Sequence, residues 1–210
     1  MKPFQFITHS NSRFDYIEGA RLALEGGCRW IQLRMKDKTD SEIEAAAARL
    51  KPLCSEYGAV LILNDRVDLA LKVKADGVHL GKNDTDPSEA RKQASDSFII
   101  GGTANTIDDV VTLAAKGVDY IGLGPFRFTT TKEKLSPVLG IDGYHDIAKQ
   151  CEERGIAIPI VAIGGITTED IPALMKTGIP GIAVSAAILS AADPVEETKE
   201  ILKILNCNYG

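Results

Sequence analysis

The chain has 210 residues, 44% apolar and 25% charged, with a net charge of −5. That length forms one large domain more readily than two small ones and is enough to bury a substantial core. The acidic balance excludes a global basic field for nucleic acid or anionic lipid, though not a basic pocket, and no apolar run approaches the roughly 20 residues of a membrane helix.

A unit recurs along the chain: a helical pattern, a glycine, then a short apolar run, as in LEGGCRWIQLR, VKADGVHLG, AAKGVDYIGLG and MKTGIPGIAVS. Glycine suits the left-handed position just past a helix end. A short apolar run after it fits a strand covered on both faces. Strands are expected at 4–8, 29–34, 59–64, 76–81, 98–103, 119–124, 159–165 and 180–185. Helical stretches between them begin at Asp40 or Ser41 and at Thr106, which have the chemistry of N-caps. Eight such units point to a single-domain (β/α)8 TIM barrel spanning residues 1–210, with its active site at the C-terminal ends of the strands.

The residues just past each strand therefore matter most. After strand 2, Gln32, Arg34 and Lys36 alternate and would share a face of an extended chain. Inward cations in an apolar barrel call for an anion, or failing that an internal salt bridge. Strand 3 ends in Asn64-Asp65; strand 4 carries His79 and leads to Asp84. Carboxylates from adjacent strand ends can share a Mg²⁺, which takes a few carboxylates plus phosphate oxygens and water; Asp84 or Asp86 could equally open the next helix. Strand 5 ends in Gly101-Gly102-Thr103, where the backbone can approach a ligand and a hydroxyl is at hand. Strand 6 runs into Thr129, Thr130, Thr131 and Lys132, within a long connection from Pro125 to Ile141 that carries no obvious helix. Strand 7 ends in Gly164-Gly165 ahead of Thr167 and Thr168, and strand 8 in Ser185 at the threshold of a short helix. On this fold the loops after strands 7 and 8 bind phosphate through exposed amides, a role that Gly165, Ser185 and the Ala186 N–H suit. One phosphate there leaves Arg34, Lys36 and Lys132 for a second anionic group, a metal-bound diphosphate near strands 2–4.

The stretches QLRMK, NDRVDLALKVKADGVHLGKND, GLGPFRFTTTKEK, PIVAIGGI and the last strand–helix step together resemble the thiamine phosphate synthase (thiamine-phosphate pyrophosphorylase) family, from the first strand to the last helix. The resemblance implies a Mg²⁺-dependent transferase. It would join 4-amino-2-methyl-5-hydroxymethylpyrimidine diphosphate to a thiazole phosphate, carboxylated or decarboxylated, by dissociative substitution, giving thiamine monophosphate and diphosphate. By matched position it implies that Gln32, Arg34, Lys36, Asn64, His79, Thr103 and Lys132 contact the pyrimidine diphosphate, with Arg34, Lys36 and Lys132 assisting the chemistry. Asp65 and Asp84 would hold Mg²⁺, and Thr129, Thr130, Thr131, Gly165, Ser185 and Ala186 the thiazole phosphate. The chain departs from that pattern at Asn105, where many relatives have histidine, at Met35, where glutamate is common, and at Ser185, one residue earlier than usual.

Two other readings remain at this stage: a thiazole tautomerase, which needs neither diphosphate nor Mg²⁺, and a non-catalytic barrel that binds a thiazole phosphate. The chain's start, MKPFQFITHSNSRF, carries no signal-peptide pattern, so a cytoplasmic protein is expected. Cys28, Cys54, Cys151 and Cys207 form no CxxC pair and read as reduced structural thiols. The expected partners are two small phosphorylated substrates, with no nucleic acid and no membrane; the oligomeric state is open, a homodimer among the candidates.

Overall fold

The computed structural model describes residues 2–128 and 137–208. Eight strands form one closed parallel barrel: β1 (Phe4–Ile7), β2 (Trp30–Leu33), β3 (Val60–Asn64), β4 (Gly77–Leu80), β5 (Ile99–Ala104), β6 (Tyr120–Leu123), β7 (Ile160–Ile163) and β8 (Gly181–Val184). They pair in sequence order, and β8 closes on β1. Between them lie α1 (Tyr16–Glu25), α2 (Asp40–Glu56), α3 (Val67–Lys72), α4 (Pro87–Gln93), α5 (Ile107–Ala115), α6 (Gly140–Glu153) and α7 (Ile171–Met175), then α8 (Ala186–Leu189) and α9 (Pro194–Asn208). Every strand lies where the apolar runs placed it, within one or two residues at each end.

Successive side chains of a strand point to opposite faces, and the buried residues divide accordingly. Phe4, Phe6, Ile31, Leu33, Leu61, Leu63, Val78, Leu80, Ile121 and Leu123 join the helices in the main core. The alternate positions Ile7, Trp30, Ile62, Tyr120, Val161 and Ala183 form a separate cluster inside the barrel. The same inward parity carries Gln5 and Gln32, Asn64, His79, Thr103, and, one step past the strands, Arg34 and Ser185.

Capping defines the helix starts. Asp15 accepts from the Ile17 and Glu18 amides ahead of α1, and Thr106 with Asp109 makes the reciprocal box at α5. For α2 the cap is Thr39, paired with Glu42, rather than Asp40 or Ser41: Thr39 is the residue with extended backbone and a glutamate three positions on. Asp86, not Asp84, caps α4. All four cysteines are free, three of them buried.

The N-terminal end of the barrel uses its charges to hold itself together. Asp76 accepts from the Leu61 amide at 2.7 Å and from Lys51 at 2.6 Å. Asp119 does the same with the Ile100 amide at 2.7 Å and Arg91 at 2.6 Å. Among the described residues no helix is long and apolar enough to cross a membrane.

Candidate active site

At the opposite end Arg34 and Asp65 are not matched in this way. Arg34 follows β2 directly, and its amide donates to Thr8 Oγ1 at 3.0 Å, which fixes the backbone there. Its Nη2 is buried, with no hydrogen-bond partner among the described residues. Burial pulls the guanidinium pKa below its ordinary value, and Asp65, Asp37 and Tyr16 push the other way. The salt bridge weighed as the bland reading of this segment is absent among the described residues. Lys36 lies three residues beyond the end of β2 and is exposed, so the shared strand face covers Gln32 and Arg34 only. It nonetheless acts electrostatically on Asp65, as Arg34 does.

Asp65 follows β3 with φ of 69°, a left-handed backbone that only a few non-glycine residues adopt. Its amide donates to the His79 carbonyl at 2.8 Å, so the carboxyl turns onto the rim. Burial and the neighbouring Asp84 carboxyl, within hydrogen-bonding reach, push the Asp65 pKa up to about 6. Asp84 is held by the Gly81 amide, 2.6 Å from Oδ2. Two carboxyls in contact require a proton or a cation between them. Among the described residues no group of three or more His, Cys, Asp or Glu could cage a metal alone. A pair of carboxylates with no third ligand suits Mg²⁺, which keeps waters and phosphate oxygens in its shell. The donor set therefore fits the expected ion.

Inside the rim, His79 Nδ1 lies 2.9 Å from the Tyr120 hydroxyl and Nε2 lies 3.0 Å from Thr103 Oγ1. Gln5 donates to the Tyr120 hydroxyl at 3.3 Å, and Gln32 donates to Gln5 at 3.1 Å. Burial keeps the Tyr120 phenol protonated far above its usual range. Gly101 makes room for this contact. A Cβ there would lie 2.2 Å from Tyr120 Cζ and 2.6 Å from His79 Nδ1.

Across the rim, Gly164 and Gly165 have φ of 99° and 71° and turn the chain sharply after β7. Phe126 and Arg127, past β6, donate through their amides to the Ile163 and Gly164 carbonyls at 2.9 and 3.0 Å. The Arg127 guanidinium grips Asp170 at 2.7 and 2.8 Å and the Gly165 carbonyl at 2.8 Å. Ser185 is the N-cap of α8 and makes no side-chain cap bond, so its hydroxyl does not occupy the first amides of α8, beginning with Ala186. Asn105, where the family resemblance led to histidine, donates to the Gly124 carbonyl. Thr129, Thr130, Thr131 and Lys132 lie outside the described residues.

The structure thus gathers Gln32, Arg34, Asn64, Asp65, His79, Asp84, Thr103, Gly165, Ser185 and Ala186 at one end of the barrel. The sequence reading passed over Gln5, Tyr120 and Arg127. A lone glutamine between phenylalanines in FQFI was the available signal for the first.

The fold is that of the (β/α)8 barrel enzymes, and its C-terminal rim, where such barrels carry their sites, holds a carboxylate pair, an arginine nitrogen without a partner among the described residues and two left-handed glycines. A family model described as thiamine monophosphate synthase matches residues 4–188, and the chain belongs to that family. It is 61% identical over 204 residues to a thiamine-phosphate synthase of Bacteroides fragilis, covering 97% of this chain and 100% of that one. It is 48% identical to a thiamine-phosphate synthase of Flavobacterium psychrophilum, covering 96% and 98%. A solved thiamine phosphate pyrophosphorylase from Pyrococcus furiosus superposes with a TM-score of 0.87 at 35% identity, over 99% of this chain and 96% of that one.

Proposed function

We propose that the chain joins 4-amino-2-methyl-5-hydroxymethylpyrimidine diphosphate to a thiazole phosphate, releasing thiamine monophosphate and diphosphate. The observation that carries the reading is Arg34: a half-buried guanidinium whose buried Nη2 has no partner among the described residues, beside a carboxyl pair, suits an anion that arrives with a metal. The names of the relatives, and their near-complete coverage of the chain, support it.

In this reading Gln32, Asn64, His79 and Thr103 line the pyrimidine side. Arg34, Lys36 and Lys132 receive the diphosphate. Thr129, Thr130, Thr131, the Gly165 turn, Ser185 and the Ala186 N–H hold the thiazole phosphate. The bond between the pyrimidine methylene carbon and the diphosphate oxygen breaks, and its electron pair leaves with the diphosphate. The thiazole nitrogen supplies the pair for the new C–N bond. Arg34 and the two lysines stabilise the negative charge that grows on the departing group, an interaction stronger in the transition state than before it. Mg²⁺ held by Asp65 and Asp84 would add divalent positive charge at that same group. No protein nucleophile is required. Fixing both reactants in one rim replaces an encounter in solution, worth up to about 7–11 kcal/mol in model reactions.

The same proposal makes residues 1–210 one catalytic unit, working in the cytoplasm on two small substrates, alone or as a homodimer. The test is to mix both substrates with the protein, with Mg²⁺ or with a chelator, and to follow thiamine phosphate and diphosphate. Equal amounts of both products, dependent on Mg²⁺, are expected. Consumption of the thiazole phosphate without diphosphate release would point instead to an isomerase and overturn the reading.

A further inference from the structure

Five polar side chains from five strands run in one line beneath the rim: Gln32, Gln5, Tyr120, His79 and Thr103. Four of them are almost fully buried, Gln5 and Gln32 at 2% exposure, Tyr120 at 0% and His79 at 6%. Only Gln32, His79 and Thr103 belong to the expected pyrimidine side. Gln5 and Tyr120, in the middle of the line, therefore need their own explanation, since buried polar groups that serve nothing are costly.

Resting on the function proposed above, we infer that Gln5 and Tyr120 are positioning residues that set the hydrogen-bond polarity of the pyrimidine side. Gln5 is the pivot. Its Oε1 accepts from Gln32 and its Nε2 donates to the Tyr120 oxygen. A phenol oxygen that already accepts has its own hydrogen left to give, and His79 Nδ1 at 2.9 Å is there to take it. A ring whose Nδ1 accepts is the Nε2–H tautomer, which donates to Thr103 Oγ1 at 3.0 Å. The line then ends in two fixed polarities. Gln32, its NH2 engaged below, offers Oε1 as an acceptor; Thr103, its oxygen engaged, offers a hydroxyl hydrogen.

Those ends match an aminopyrimidine diphosphate. An exocyclic amine needs an acceptor, and an anionic oxygen needs a donor. Run backwards, with both glutamine amides turned over, the line would present an NH2 to the amine and lone pairs to the anion. A low-dielectric chain of hydrogen bonds settles in one direction as a unit. Packing keeps the members in register: Tyr120 stands edge-on to Trp30 with ring centroids 4.8 Å apart, and Gly101 leaves the space that brings Tyr120 and His79 together.

The test pairs a spectrum with kinetics. Long-range ¹H–¹⁵N spectra of the unliganded protein, with His79 assigned by its loss in His79→Asn, should show the Nε2–H tautomer. Tyr120→Phe keeps the ring and removes the hydroxyl; it should mix the two tautomers. Tyr120→Phe and Gln5→Met should each raise KM for the pyrimidine diphosphate about tenfold, the loss of one buried hydrogen bond, with KM for the thiazole phosphate within about twofold of wild type. A Nδ1–H tautomer in the wild type, or an equal rise in both KM values with the tautomer unchanged, overturns the inference. Wild-type protein that makes no thiamine phosphate would fail the proposed function instead, and the spectrum still decides the direction of the line.

Discussion

Replacing Arg34 by methionine separates a binding role from a structural one, because the two predict different outcomes for stability. The guanidinium is half-buried, its Nη2 has no partner among the described residues, and burial lowers its pKa. An unsatisfied buried donor costs about 1–3 kcal/mol, which methionine of similar length removes. Against this stands the lost attraction to Asp65 and Asp37, of comparable size for charges partly open to water. The unliganded variant should therefore melt within about 4 °C of wild type, a net change of at most about 1 kcal/mol at this chain length. Turnover should behave differently. A charge-assisted bond to the leaving diphosphate strengthens as charge develops, so its removal should lower kcat/KM about 10²–10³-fold, or about 2.7–4 kcal/mol. Thermal unfolding without ligand and steady-state diphosphate release measure the two quantities. A variant that keeps activity within about fivefold but melts more than about 8 °C lower would refute the reasoning and make Arg34 a structural strut.

The Asp65 carboxyl, raised to about 6 from an ordinary 3.8, destabilises the metal-free fold fully above pH 6; the cost fades as pH falls through 6 and is gone below about 3.8, where the unfolded chain is protonated as well. Mg²⁺ needs the ionised form, so its affinity should fall about tenfold between pH 7 and pH 5, and Asp65→Asn should flatten that dependence; calorimetric titration with Mg²⁺ and a substrate diphosphate reads both. Gly165→Ala forces a side chain onto φ of 71°, with its Cβ 2.5 Å from Arg127 Cγ. It should cost about 1–2 kcal/mol, seen as a lower melting temperature, and should raise KM for the thiazole phosphate more than for the pyrimidine. Tyr144→Phe removes a buried hydroxyl that donates to the Leu123 carbonyl at 2.5 Å and accepts from the Ile163 amide at 3.3 Å. A loss of about 1–3 kcal/mol should appear in denaturant unfolding, and an unchanged midpoint would contradict the assignment.

The barrel was legible because each strand is covered on both faces and so reads as a short apolar run behind a helix-ending glycine. Alternation brought out Gln32 and Arg34 as polar residues sharing one face, and position on or at the end of a strand brought out Asn64, His79 and Thr103. Lys36 was grouped with Gln32 and Arg34 because their alternation was carried past the end of β2 into the connection that follows; alternation alone does not show where extended backbone stops. The α2 cap was misplaced by one or two residues, since Thr39, Asp40 and Ser41 all have capping side chains and only backbone geometry chooses. Gln5 and Tyr120 were missed on other grounds. Their partnership spans 115 residues of chain, and that of Tyr120 with His79 spans 41. No local pattern encodes either contact; both come from closing the barrel.

The two ends of the barrel show why the site belongs where it does. At the N-terminal end Asp76 and Asp119 each meet a backbone amide and a cation, so those two charges are matched within the fold. At the C-terminal end Arg34 holds a buried nitrogen without a partner among the described residues, Asp65 sits in a strained backbone conformation against another carboxyl, and the α8 amides lack a side-chain cap. Each of these conflicts costs stability of order 1–3 kcal/mol. They share one remedy, phosphate groups accompanied by a divalent cation: a diphosphate would partner the guanidinium, its cation would sit between the carboxyls, and a second phosphate would meet the α8 amides. Local frustration that a single ligand chemistry relieves at every point is the signature of a binding site rather than of a badly packed rim.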